Sequence, residues 1–117
     1  MITDIHDETE LAKFLQHNAT APVFLLKHST RCPISAAAHR QFSTFAELGV
    51  APCARVLVIE DRACSNAITE NTGVPHCSPQ VLLFSNGKVV WHTSHHDVTV
   101  QRMQNALIDF STKKEQA

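Results

Sequence analysis

The sequence has no excess of positive charge. Its 10 Lys and Arg stand against 11 Asp and Glu, a formal charge of -1, and no segment carries a basic stripe. Long-range attraction to phosphate backbones or anionic membrane surfaces is therefore missing, and nucleic acid is not expected as a partner. No stretch is long and apolar enough for a bilayer span. The start, MITDIHDETELAKF, places acids where an export signal needs a basic region and then an apolar run. No membrane association is expected, and the chain reads as cytoplasmic. The 4 cysteines include no C-x-x-C pair, and without an export signal they are expected as reduced thiols rather than disulfides. There is no P-loop, no G-x-G-x-x-G and no Ser-His-Asp triad, which excludes the commoner nucleotide and hydrolase chemistries. No repeat, low-complexity tract or Pro/Gly/Ser-rich linker interrupts the chain. Residues 1–117 read as one domain, with 44% hydrophobic residues to supply a core.

What is present is a clear succession of elements. Asp7 and Glu10 form a D-x-x-E cap before Leu11, Phe14 and Leu15, which recur at helical spacing; a short strand around Ile2 can precede them. Pro22 to Lys27 is a nearly unbroken apolar run, the pattern of a strand covered on both faces. From Pro33 the period becomes helical, with Ile34, Ala38, Phe42, Phe45 and Leu48 as the stripe and Gly49 as the stop. Arg55 to Ile59 reads as a second central strand and Asp61 to Asn71 as a short helix before Gly73. Strand, helix and strand make a right-handed βαβ unit. Gln80 to Phe84 and Lys88 to Trp91 flank Asn86-Gly87, a strong hairpin signal. A last helix, opened by Asp97 or Thr99, carries Val100, Met103, Leu107 and Phe110 on one face. This order predicts an α/β fold: a small mixed sheet of four strands, with a possible fifth at the N-terminus, flanked by helices on both faces.

Cys32 stands where the first central strand gives way to its helix. With Pro33 at the first helical position, Cys32 is expected at the N-cap, where its sulfur can accept N–H bonds from Ile34 or Ser35. The positive end of the helix dipole and the neighbouring Arg31 favour a thiolate there, and the thiolate is the nucleophile. A small buried hydrophobe is the commonest fate of a free cysteine. The position argues otherwise, because the C-terminal edge of parallel strands is where α/β folds place their chemistry. Ser35 occupies the place of a second thiol. A hydroxyl cannot attack a mixed disulfide, so the C-P-I-S turn (Thr30, Arg31, Cys32, Pro33, Ile34, Ser35) predicts one-thiol chemistry resolved by an external thiol or a distant cysteine.

The strand, the C-P-x-S turn, the long helix, the second strand and then Ser78-Pro79 before a hairpin together resemble the thioredoxin superfamily, in which a cis-proline at this place faces the reactive cysteine. More narrowly, KHSTRCPIS, VPHCSPQVLLF and VVWHTSHHDVT resemble the signature blocks of the monothiol bacilliredoxin, or YtxJ-like, family over nearly the whole chain. The family's elements fall on Lys27, His28, Ser29, Cys32, Pro33, Ile34 and Ser35. They continue on His76, Ser78, Pro79 and Gln80, and on Trp91, Ser94 and His95. The resemblance implies a thiol-disulfide oxidoreductase that reduces mixed disulfides between proteins and bacillithiol through Cys32. S-thiolated proteins and the small thiol would be its partners, the thiol serving as a co-substrate with no tightly bound cofactor.

Other residues leave alternatives open. His28, His76, Ser78 and Pro79 are expected to meet the thiol ligand, the two histidines by tuning Cys32 or orienting a carboxylate; equally, these histidines can be hydrogen-bonded framework groups. Cys77, two residues before Pro79, can resolve oxidised Cys32 or stand as an idle rim thiol. Cys64 opens the helix after the second strand, and Cys53 should lie at the far end of its strand as a structural residue. Trp91 is expected to pack on the core. His95-His96 reads as surface, and no metal is expected. Two further functions compete with the oxidoreductase: an iron–sulfur cluster held jointly by a monothiol site and a small thiol, and a redox-inactive interaction domain. Proline after the cysteine, where cluster-binding monothiol glutaredoxins have the smaller glycine, weighs against the cluster.

Overall fold

A computed structural model describes the backbone of residues 1–116 and the side chains as far as Lys114. The elements follow the order β1 (Ile2–Asp4), α1 (Glu8–His17), β2 (Val23–His28), α2 (Pro33–Glu47), β3 (Cys53–Leu57), α3 (Arg62–Thr72), β4 (Gln80–Ser85), β5 (Lys88–Ser94), a single 3-10 turn (His95–Asp97) and α4 (Val100–Gln116). The sheet has 5 strands in the order β1-β3-β2-β4-β5. β3 runs parallel to both β1 and β2, and β4 is antiparallel to β2 and β5. The optional N-terminal strand is thus real, and Ile2 pairs in register with Cys53.

Local chemistry accounts for most of these boundaries. Asp7 caps α1 by accepting the Glu10 N–H at 2.8 Å, and Glu10 in turn accepts the His6 N–H at 2.7 Å, the reciprocal arrangement of a capping box moved one residue outward. Gly73 ends α3 in the left-handed region at φ 73, a conformation glycine adopts without strain. Asn86 and Gly87 both have positive φ, 52 and 76, as a two-residue turn of the right hand for a hairpin requires. Thr99, rather than Asp97, closes the start of α4, its Oγ1 accepting the Arg102 N–H at 3.2 Å.

Alternation along β2 divides the core. Phe24 and Leu26 face α2 and α4 together with Phe42, Phe45, Val81, Leu83 and Met103. Val23 and Leu25 face α1 and α3 with Val56, Ile68 and Leu82. Trp91 packs on the first of these layers, edge-on to Phe24 with ring centroids 6.4 Å apart. The stripe of α2 is turned from its expected position. Its buried residues are Ser35, Ala38, Phe42, Phe45 and Ala46, whereas Leu48 is 47% exposed and Ile34 only half-buried. The helix rotates toward Ser35 because that hydroxyl finds partners under the helix, which the periodicity of apolar residues does not register. Among the described residues no helix is long and apolar enough to cross a membrane.

Candidate active site

The C-terminal end of β2 leads through residues 29–31 into α2, and Cys32 sits at the helix N-cap with an extended backbone (φ -116, ψ 124) and Pro33 as the first helical residue. Its carbonyl accepts the Ala36 N–H at 3.0 Å. The sulfur takes no hydrogen bond from the first turn, which corrects the expectation that Ile34 or Ser35 donates to it. The thiol is instead left half-exposed at the helix end, where an incoming sulfur can reach it. Thr30, Arg31 and Pro33 are exposed around it, and the Thr30 hydroxyl donates to Glu60 Oε2 at 3.3 Å.

Ser35 is fully buried and holds the turn together. Its Oγ accepts the Ser29 N–H at 2.9 Å and lies 2.8 Å from His28 Nδ1. The position that carries a second thiol in a C-x-x-C turn is therefore a structural link between the strand end and the helix. His28 is only 9% exposed, and its ring lies against that of His39, centroids 4.6 Å apart. The structure thus seats His28 as a framework group rather than a surface contact for a ligand. Burial, and then the nearby His39 and Arg55, push its pKa down to about 4, so the ring is neutral at ordinary pH. We expect Ser35→Ala to destabilise the fold by about 2 kcal/mol, the cost of stranding a buried Ser29 N–H. Urea denaturation measures it; a loss no larger than that of an exposed control such as Ser111→Ala would contradict the linking role.

Lys27 is wholly buried on the opposite face of β2. Its Nζ donates to Thr69 Oγ1 at 2.9 Å and to His76 Nδ1 at 3.2 Å. Burial lowers the Lys27 pKa, and charge on Cys64 or Cys77 would oppose the shift. Because the ammonium occupies Nδ1 of His76, a neutral His76 carries its proton on Nε2. Burial and the adjacent Lys27 lower the pKa of His76 in the same sense. His76 itself is exposed at the rim.

The Ser78–Pro79 peptide bond is cis. Pro79 is buried, Ser78 half-buried, and the Ser78 Oγ is buried without a hydrogen-bond partner. The Pro79 carbonyl accepts the His95 N–H at 2.9 Å, and Ser94 pairs with Gln80 across the hairpin, so the second and third signature blocks join here. A small groove of about 120 Å³ lies between the start of α2 and this third block, lined in part by Ile34, Ala37, Gln41, His95 and His96. A larger hollow of about 620 Å³ lies at the other end of the sheet, beside Met1, Phe14 and Cys53, and its lining includes Asp4, Glu10, Lys13 and His17 but not Cys32.

All four cysteines are free. Burial pushes the thiols of Cys53 and Cys64 up to about 11, Asp61 and the acids of α1 adding to the effect at Cys64. Cys32 and Cys77 are the two that reach the surface. Among the described residues no group of three or more His, Cys, Asp or Glu is gathered to hold a metal ion. Two residues beneath the turn, Arg55 and His39, escape a reading of motifs alone. The signals available for them are an arginine within an apolar strand and a histidine one helical turn after Ser35.

Comparison with known proteins agrees with this geometry. Residues 3–103 match the family model of monothiol bacilliredoxin BrxC. A solved thioredoxin-fold protein proposed to be an oxidoreductase is 33% identical, with a TM-score of 0.84 over 90% of this chain and 92% of that one. Thioredoxin from Fasciola hepatica superposes with a TM-score of 0.78 at 13% identity, covering 92% of this chain and 98% of its own. A point-substituted thioredoxin from Halobacterium salinarum gives 0.75 at 19% identity, over 90% and 86% of the two chains. At those lower identities the likeness is one of fold.

Proposed function

Because this chain belongs to the monothiol bacilliredoxin family of thioredoxin-fold thiol-disulfide oxidoreductases, we propose that it reduces mixed disulfides between proteins and bacillithiol through Cys32. The observation that carries this reading is the pairing of an accessible thiol at the N-cap of α2 with a buried, hydrogen-bonded Ser35 where a resolving thiol would stand. In the first step the Cys32 thiolate attacks the small-thiol sulfur of the mixed disulfide. A new S–S bond joins Cys32 to the small thiol, and the protein sulfur leaves as a thiolate that takes up a proton. A second small thiolate then attacks the bound one. This forms the small-thiol disulfide and returns Cys32 as thiolate, so the net change is one protein sulfur reduced to a thiol and one free small thiol oxidised, joined in a disulfide to the small thiol that came off the protein.

The rim residues fit an anionic thiol ligand. His76 is exposed and offers an Nε2–H donor suited to a carboxylate, with the buried, unpartnered Ser78 hydroxyl and the buried Pro79 ring behind it. The small thiol is a co-substrate, and a cell compartment that keeps it reduced, the cytoplasm, suits the cycle. Cys77 is the remaining accessible thiol and the one available to capture oxidised Cys32, since Cys53 and Cys64 are buried.

A reporter protein thiolated with bacillithiol, and the same reporter thiolated with glutathione, test the reading. The expected results are faster release of the reporter thiol from the bacillithiol form and a bacillithiol adduct on the peptide containing Cys32. Peptide maps after mild peroxide treatment also show whether Cys32 links to Cys77. Equal rates on both reporters would remove the preference for bacillithiol, and a turnover that leaves Cys32 unmodified would remove the mechanism.

A further inference from the structure

A continuous polar chain crosses the layer between the sheet and α2, and it ends at the cysteine turn. It begins at the sheet edge, where Asp4 of β1 accepts from Arg55 of β3 at 2.7 Å (Nε) and 2.6 Å (Nη2). Parallel pairing of β1 and β3 sets these residues opposite each other. The third arm of the guanidinium, Nη1, lies 2.7 Å from His39 Nε2. Arginine has only donors to offer, so that nitrogen is an acceptor and His39 is neutral. His39 stacks on His28, His28 reaches Ser35 Oγ, and Ser35 holds the Ser29 N–H. Ser35 and His39 are one helical turn apart on α2, so both look down onto the same strip of sheet.

We propose that Arg55, acting through His39 and His28, is a positioning residue that holds the Ser35-anchored turn, and with it Cys32, in its reactive geometry under mildly acidic conditions. The proposal deepens the reaction given above and rests on Cys32 as the attacking thiol. The physical basis is electrostatic. Two histidine rings with centroids 4.6 Å apart cannot both take protons without strong repulsion, and protonation of the pair would disturb the contact between His28 and Ser35. A permanent cation 2.7 Å from one ring opposes the proton that would start this failure. The groups facing His28 are His39 and Arg55, which oppose protonation, and Glu60, which favours it. Those facing His39 are Arg55, again opposing, and Asp4, favouring. Burial is the largest influence on both rings and lowers both pKa values. Arg55 decides the balance among the charges because it touches one ring directly while Asp4 is neutralised by the arginine itself.

The test uses the full chain with Arg55→Met and Arg55→Lys, the second retaining the charge without the fork. Two readouts are followed from pH 5 to 8: NMR titration of the His28 and His39 ring signals, and the rate of iodoacetamide labelling at Cys32, located by peptide mapping. We expect Arg55→Met to match the unmodified protein at pH 8. Its histidine signals should titrate at higher pH, and at pH 5 its labelling rate relative to the unmodified protein should fall by about twofold, because a rise of about one unit from the His28 value of about 4 leaves about half of those rings protonated. Arg55→Lys, which keeps the cation, should bring both profiles back to those of the unmodified protein. A folded Arg55→Met protein with unaltered histidine titration and labelling would overturn the proposal, even if its melting temperature had dropped. If Arg55→Met does not fold, His39→Gln decides the matter. It keeps an acceptor for Arg55 but removes one titrating ring, so its labelling should fall less between pH 6 and pH 5, where the histidine pair begins to take up protons, than in the unmodified protein; an equal fall would overturn the proposal. Labelling reports on Cys32 without any disulfide substrate. A failure of the mixed-disulfide reading therefore appears as lost turnover specificity with these profiles intact.

Discussion

Cys32→Ser should reduce mixed-disulfide turnover to the rate seen without enzyme while leaving the fold intact. The half-exposed sulfur makes no capping hydrogen bond, so replacing it with a hydroxyl removes the nucleophile and hardly any packing. Serine at an N-cap is also favourable in its own right and can supply the helix with the acceptor that the sulfur does not provide. Its melting temperature is thus expected to equal or slightly exceed that of the unmodified protein. The companion variant Cys53→Ser keeps turnover, because Cys53 is buried at the far end of β3, its sulfur donating to the Ala51 carbonyl at 3.4 Å. Its cost falls on stability, where a hydroxyl meets an apolar layer. Equal activity in the two variants would show that Cys32 is not the attacking thiol. Turnover on a thiolated reporter, measured beside thermal melts of each variant, separates loss of chemistry from loss of fold.

The second large effect is on stability against acid. His28 titrates near 6.5 in an unfolded chain and is lowered to about 4 in the folded one, so between those values only the unfolded chain binds the proton. The folded state therefore has its full stability above pH 6.5 and loses it as the pH falls toward 4, where the difference levels off. The loss at this one residue is about 2 kcal/mol by pH 5 and on the order of 3 kcal/mol by pH 4. His39 shifts in the same direction and adds to it. His6, whose hydrogen bond to Asp61 raises its pKa, works the opposite way, but it is a surface group and weakens the trend little. Urea unfolding at pH 7 and pH 5 measures the fall. His28→Gln, which keeps a hydrogen-bonding group beside Ser35 and does not titrate, should flatten it. An unchanged slope in that variant would assign the acid sensitivity to other groups.

The parts of this protein that sequence reasoning reaches are those governed by short-range rules. Asp7 and Glu10 announce a helix start, Asn86-Gly87 a hairpin, and the change of period at Pro33 a strand-to-helix junction, because each depends on backbone geometry within a few residues. The C-P-I-S turn belongs to the same class: its spacing alone states that one thiol, not two, is available there. The role of Ser35 is not legible in that way. From sequence it is the absence of a sulfur; in the fold it is a buried link with two partners, one of them the neutral ring of His28. Nor can periodicity show that α2 rotates to bury Ser35 and expose Leu48, since apolar spacing carries no information about a hydroxyl's partners. Lys27 has the look of a strand's polar end and is in fact a fully buried ammonium, because α3 and the loop before β4 close over it and supply Thr69 and His76. The chain from Asp4 through Arg55 and His39 to His28 unites three strands and a helix that are adjacent only in the sheet order. Local propensity specifies elements and their ends. Which polar groups meet beneath them is decided by sheet order and register, through contacts among residues far apart in the chain, and at Cys32 those contacts shape the turn that presents the thiol.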